Sequence, residues 1–221
     1  MLACAAALAA PALGAGGLPA SVGSYLLGPK LVRAEIVVKG NHDFRLDRGT
    51  LLKRYAAGSV NLLERDGTKT SIKVASSARV TLNGRPANPR QLRAGMQVAV
   101  SHDGDLPADT VFAATARQSP KWPPAVWGLL LGNKLIRAEL FVLDTVKHDY
   151  LLDHGRIKQV GAFTLVIHEP DGTEVTIEIS PNARIKVNGQ NGTFLELRKG
   201  MMATTMRDGD APADQVFVTG K

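Results

Sequence analysis

The chain repeats itself, and that constrains its folding more than any other feature. Gly28-Pro-Lys-Leu-Val-Arg-Ala-Glu35 matches Gly132-Asn-Lys-Leu-Ile-Arg-Ala-Glu139 at an offset of 104, and His42-Asp43 matches His148-Asp149 at 106. From Asp66-Gly-Thr68 against Asp171-Gly-Thr173 the offset is 105, through Asn83-Gly84 and Leu92-x-x-Gly95-Met96 to the string Asp103–Phe112, which returns as Asp208–Phe217. Small drifts of this kind mark loop insertions. The period is far longer than the roughly 20–50 residues of solenoid repeats, so each copy is expected to be a complete domain with its own core. The boundaries read as a leader over 1–17, a first repeat over 18–118, a Pro/Trp linker with a short helix over 119–131, and a second repeat over 132–221.

With 221 residues, 44% hydrophobic and 21% charged, the composition is that of an ordinary globular chain and excludes disorder as the main state. Met1–Ala15 is a short apolar run ending in small residues, which is how a signal-peptide core and cleavage site look. It is too short to span a bilayer. No Lys or Arg precedes Lys30, so the basic n-region is missing and the true start would lie upstream. The expected location is therefore periplasmic or extracellular, with no transmembrane span. Cys4 is the only cysteine; it lies one residue too close to Leu2 for a good lipid-attachment motif, and without the leader the protein has no thiol. Residues 28–117 hold 15 basic and 8 acidic side chains, whereas 122–221 hold 11 and 12, so the net charge of +7 belongs to the first repeat.

Each copy reads as strands. Val32, Ala34, Ile36 and Val38 alternate with Arg33, Glu35 and Val37, the period of a half-buried strand, and a solvent-side Arg33–Glu35 ion pair is expected, with Arg137–Glu139 as its counterpart. Asp66-Gly67 and Asp171-Gly172 separate alternating apolar runs and mark hairpins. Asn83-Gly84 and Asn188-Gly189 follow short strands over 79–82 and 184–187, and the closing strands begin near Ala108 and Ala213. Helical possibilities are only brief, such as Pro124–Leu131, with Pro early and Gly132 after it. Six or seven short strands with regular turns favour an all-β fold of two tandem small closed barrels arising from internal duplication.

The order of strand, Asp-Gly hairpin, strand, short strand ending in Asn-Gly, Leu-x-x-Gly-Met and closing strand resembles a family of small OB-like β-barrel repeats in secreted bacterial proteins, a domain of unknown function. The resemblance covers roughly 49–113 and 155–218. It implies export and tandem occurrence and supplies no catalytic residues. The second copy departs from it where Met201-Met-Ala-Thr-Thr-Met206 replaces the Val-rich Met96–Val100, which puts the usual strand packing there in doubt.

Few residues suggest chemistry. There is no Gly-x-Ser-x-Gly, no His-Glu-x-x-His and no phosphate-loop glycine pattern. His148 and His154 share a face of an extended strand but lie roughly 20 Å apart at about 3.3 Å per residue, too far to share an ion, and the histidines read as surface or loop residues. Met202 and Met206 offer soft ligands for Cu(I), although methionine is more simply a core filler. A base-stacking surface would use Lys53, Arg54, Lys69, Lys73 and Tyr55, but the second copy has Lys158, Gln159, Glu174, Glu178 and Val160 there, so nucleic acid is a poor fit. The repeated Asp-Gly-Asp leaves Asp103, Asp105 and Asp109, and Asp208, Asp210 and Asp214, as candidate ligands for a weakly held Ca²⁺. Three carboxylates fall short of the six to eight oxygens that ion takes, and a turn launching the closing strand explains Gly, Pro and the apolar tail together. The reading is a non-catalytic, exported binding or scaffolding protein with an unknown protein or envelope component as partner and no cofactor; weak divalent-cation binding, and anion or single-strand binding through the basic repeat, are the alternatives.

Overall fold

The computed structural model describes residues 18–40, 42–53, 55, 58–115 and 118–220. The leader-like segment 1–17, with Cys4, lies outside them, as do Arg54 and Lys221. Helix α1 (Ala20–Leu26) leads into β1 (Leu31–Val38), β2 (His42–Leu51), β3 (Ser59–Glu64), β4 (Lys69–Leu82), β5 (Arg85–Pro86), β6 (Gln97–Asp103) and β7 (Ala108–Ala114). Helix α2 (Pro124–Leu131) then leads into β8 (Leu135–Leu143), β9 (Lys147–Val160), β10 (Thr164–His168), β11 (Glu174–Val187), β12 (Gln190–Gly192), β13 (Met202–Asp208) and β14 (Ala213–Thr219). No helix among the described residues is long and apolar enough to cross a membrane.

The protein is all-β in its main architecture and closes its sheets into barrels. Strand β2 pairs with β3, β3 with β4, β4 in parallel with β7, β7 with β6, and β6 returns to β2. The ring β9-β10-β11-β14-β13 has the same pairings, again with one parallel contact, β11 to β14. Closure leaves no unpaired edge in either ring. Alternation fills each lumen: Val60, Leu62, Ile72, Val98, Val100 and Val111 are buried in the first, and Ile157, Leu165, Ile167, Ile177, Ala203 and Val216 in the second. The Met-rich segment of the second copy is strand β13, paired on both sides.

Gly49 and Gly155 let the strands approach at the bend where β2 and β9 leave the central sheet for their barrels. A Cβ on Gly155 would stand 2.3 Å from the carbonyl oxygen of His168, and one on Gly49 2.5 Å from that of Leu63. Only glycine fits there.

Strands β1 and β8 join the two rings. They pair antiparallel with Glu35 opposite Glu139, Ala34 opposite Leu140 and Ile36 opposite Ala138. Glu35 thus faces its own counterpart, and the surrounding pairs are reciprocal, as in a two-fold interface. The flanking bonds are reciprocal as well: the Lys39 amide donates to the Lys134 carbonyl at 2.8 Å and the Leu143 amide to the Lys30 carbonyl at 2.9 Å. On the inner face of this hub Leu31, Ile36, Leu135, Leu140 and Val142 are buried beneath both helices. Each helix leans on the opposite barrel. Tyr25 of α1 meets Tyr150 edge-on at 5.8 Å, while α2 and its approach cover the first barrel, with Trp122 edge-on to Phe112 at 5.9 Å. The buried Arg48 fixes that approach by donating to the carbonyls of Gly28 and Pro120, with its guanidinium over the Trp122 ring. Burial lowers its pKa to about 10.

Two local expectations are corrected. The short strand over 79–82 is the end of the 14-residue β4, and that over 184–187 the end of the 14-residue β11. Arg33 and Glu35 do not pair with each other: Arg33 donates to Glu64 and Asp66, and Glu35 lies 3.7 Å from Arg45 Nε. Neighbours two apart on a flat strand lie farther from each other than from groups on an adjoining hairpin.

Candidate functional site

The aspartate strings close β6 and β13, make the turn, and launch β7 and β14. Asp103 Oδ2 lies 2.6 Å from His42 Nδ1, and its other oxygen accepts the Asp43 amide at 3.1 Å. The hydrogen bond with His42 holds the Asp103 carboxyl below its ordinary range. Asp208 repeats this geometry with His148 Nδ1 at 2.6 Å and the Asp149 amide at 2.8 Å. Asp105 is exposed and accepts from Arg45, Asp210 is exposed in the second turn, and Asp214 is exposed on β14. Asp109 accepts from the Thr110 hydroxyl at 2.9 Å. Among the described residues no three His, Cys, Asp or Glu side chains are grouped to hold a metal ion. The histidine–aspartate pairs span about sixty residues of sequence, and nothing in either local string announces them.

His154 is a core residue, not a surface one. It is buried, with Nδ1 2.8 Å from Thr204 Oγ1, and burial lowers its pKa to about 4.

The outer face of the hub carries charge. Arg137 donates to Glu169 and Asp171, and Arg207 to Asp153. Glu169 is fully buried with Oε1 unpartnered; burial outweighs Arg137 and pushes its pKa up to about 7. The cavity at this face, lined by Glu35, Arg137, Glu139, Asp153 and Arg207, is about 180 Å³. It is smaller than ordinary ligand sites, and Arg137, Asp153 and Arg207 are already ion-paired.

A larger pocket, about 360 Å³, lies between the first barrel and α2. Strand alternation puts Arg79 and Thr81 of β4, Ser101 of β6, and Thr110 and Phe112 of β7 on the outer face of the barrel, and Phe44 of β2 closes one side. Val126 and Leu129 of α2 form the roof. Asp109, proposed from sequence as a metal ligand, stands at this pocket instead. A second cavity of about 550 Å³ shares Thr81, Phe112 and Pro123 and continues toward Lys121 and Trp122. An apolar body with a few polar groups in this volume range is the usual form of a small-ligand site.

The equivalent place on the second barrel is built differently. The self-alignment puts Tyr25 at the Leu129 position, Tyr150 at Phe44 and Met206 at Ser101. Each replacement is larger. Met206 is buried at 2% exposure, and the Tyr25 hydroxyl lies 3.2 Å from that of Tyr150 and donates to Asp144. The first barrel thus leaves space where the second places side chains. This size difference was present in the sequence, but it points to a pocket only once both helices are known to cross over.

Comparison with protein-family models and with curated proteins finds no match for the chain.

Proposed function

We propose that this is an exported, non-catalytic protein of two OB-like barrels derived from one duplicated unit, acting as an envelope-associated binding module whose ligand site is the pocket between the first barrel and α2. The OB-like reading is supported by the pairing order first-second-third-fifth-fourth-first with third and fifth parallel. Duplication is supported by the reciprocal β1–β8 pairing, and export by the resemblance to secreted repeats. The observation that carries binding is the open pocket opposite a filled counterpart.

The test is fluorescence titration with the neutral apolar probe N-phenyl-1-naphthylamine, comparing wild type with a Ser101→Met, Leu129→Tyr variant that copies the second barrel. Saturable enhancement in the wild type, reduced at least tenfold in the variant, is expected. Binding that is equal in both proteins contradicts the pocket as the site.

A second reading, an anion or single-strand surface on β4, draws on the exposed Lys69 and Lys73. Oligonucleotide binding that weakens steeply with salt would favour it.

A further inference from the structure

Resting on the pocket reading above, we infer that the preferred ligand is an amphipathic monoanion, whose apolar body lies under α2 and whose single negative charge meets Arg79. Three features carry this.

First, the walls and roof are apolar. Phe44, Phe112, Val126 and Leu129 surround the space, and at about 360 Å³ it lies near the lower end of small-ligand sites. A compact ring system or short chain fits it better than a polymer.

Second, the polar groups are unequal in what they already satisfy. Arg79 makes no ion pair among the described residues, as Arg184 at the matching position of the second barrel makes none, whereas Arg45 on β2 pairs with Asp105 and Arg207 on β13 with Asp153. It is exposed on β4 beside the pocket it helps to line. A planar guanidinium is suited to a carboxylate or sulfonate, which it meets with two parallel N–H donors. The floor adds the hydroxyls of Ser101 and Thr81.

Third, one acid limits the charge. Asp109 lines the same pocket, with Oδ1 accepting from Thr110. A dianion would set its second charge against Asp109, whereas a monoanion places its one charge at Arg79. On the second barrel Arg184 and Asp214 occupy these two positions, but Met206, Tyr25 and Tyr150 stand where the apolar body would go. Arg79 and Asp109 thus have counterparts on the second barrel, where Lys186 stands in place of Thr81, and the apolar space distinguishes the first.

The experiment compares two dyes with the same ring system, 1-anilinonaphthalene-8-sulfonate and neutral N-phenyl-1-naphthylamine, on the full chain. Wild type is expected to bind the sulfonate about tenfold more tightly, the effect of one charge-assisted contact. Arg79→Gln should weaken sulfonate binding about tenfold and so remove that preference, while Asp109→Asn should strengthen sulfonate binding. Equal affinities in the wild type, or a preference that survives Arg79→Gln, overturn the monoanion inference and leave the pocket in place. If the Ser101→Met, Leu129→Tyr variant displaces neither dye, the pocket reading itself fails. Circular dichroism of each variant separates these outcomes from loss of fold.

Discussion

At the scale of single residues, the glycines at the barrel bends leave no room for a side chain. The atom a Cβ would meet at Gly155 is the His168 carbonyl oxygen, part of a backbone held in the β9–β10 ladder, so relief requires moving a strand. Gly155→Ala is expected to lower stability by about 1–3 kcal/mol, the usual range for overpacking, and urea unfolding will read it. An unchanged midpoint would show that the strands can part there. Phe163 illustrates what sequence hides at this scale. It sits at φ 54°, where the first copy has Gly58 at φ 68°, and both carbonyls accept equivalent bonds, from Ile179 and from Val74. The turn is the same, but an aromatic residue gives no local sign of it; its ring lies 5.5 Å from that of Phe194.

His154 supplies the pH dependence. Its folded pKa of about 4 lies below the ordinary 6.5, so between these values the unfolded chain binds more protons. The stabilisation is complete above pH 6.5 and is lost as pH falls toward 4. Glu169 acts in the opposite sense, because its raised pKa makes the folded state the better proton binder between about 4.5 and 7. The two partly cancel in the wild type. The difference in unfolding free energy between wild type and His154→Gln isolates the histidine and should grow by roughly 3 kcal/mol from pH 4 to pH 7. A difference that does not vary with pH would mean that His154 titrates normally.

Among the elements, those written in local alternation were legible, and those that depend on distant partners were not. The hairpins at Asp66-Gly67 and Asp171-Gly172, helix Pro124–Leu131 and the closing strands at Ala108 and Ala213 follow from period, turn residues and helix signals, and all are present. Alternation lapses over 75–78, so the local pattern divides β4 into two pieces. The chain instead bends there, with a shift in its pairing to β7 between Val74 and Arg79. Strand β11 does the same across Pro181, between Ile179 and Arg184, where the missing ladder bond of a proline is tolerated. The β1–β8 pairing left no local trace, since an edge that is going to be covered by another copy looks like any half-buried strand. Each of β2 and β9 serves both the hub and a barrel, which makes them longer than the strands expected from turn spacing.

On the scale of the whole molecule, two like barrels are locked by one reciprocal strand pair and two crossed helices, and their near-symmetry makes the departure from it informative. The aspartate strings, the most conspicuous motif in the sequence, close turns and hold histidines. The candidate site lies elsewhere, where Leu129, Phe44 and Ser101 stand in place of Tyr25, Tyr150 and Met206. That contrast is the central claim, and methyl-resolved NMR tests it most directly. Titration of the full chain with 1-anilinonaphthalene-8-sulfonate should shift the methyl signals of Thr81, Thr110, Val126 and Leu129 and leave those of Val22 and Met206 in place. Shifts centred on Val22 and Met206, or spread evenly over both barrels, would contradict it.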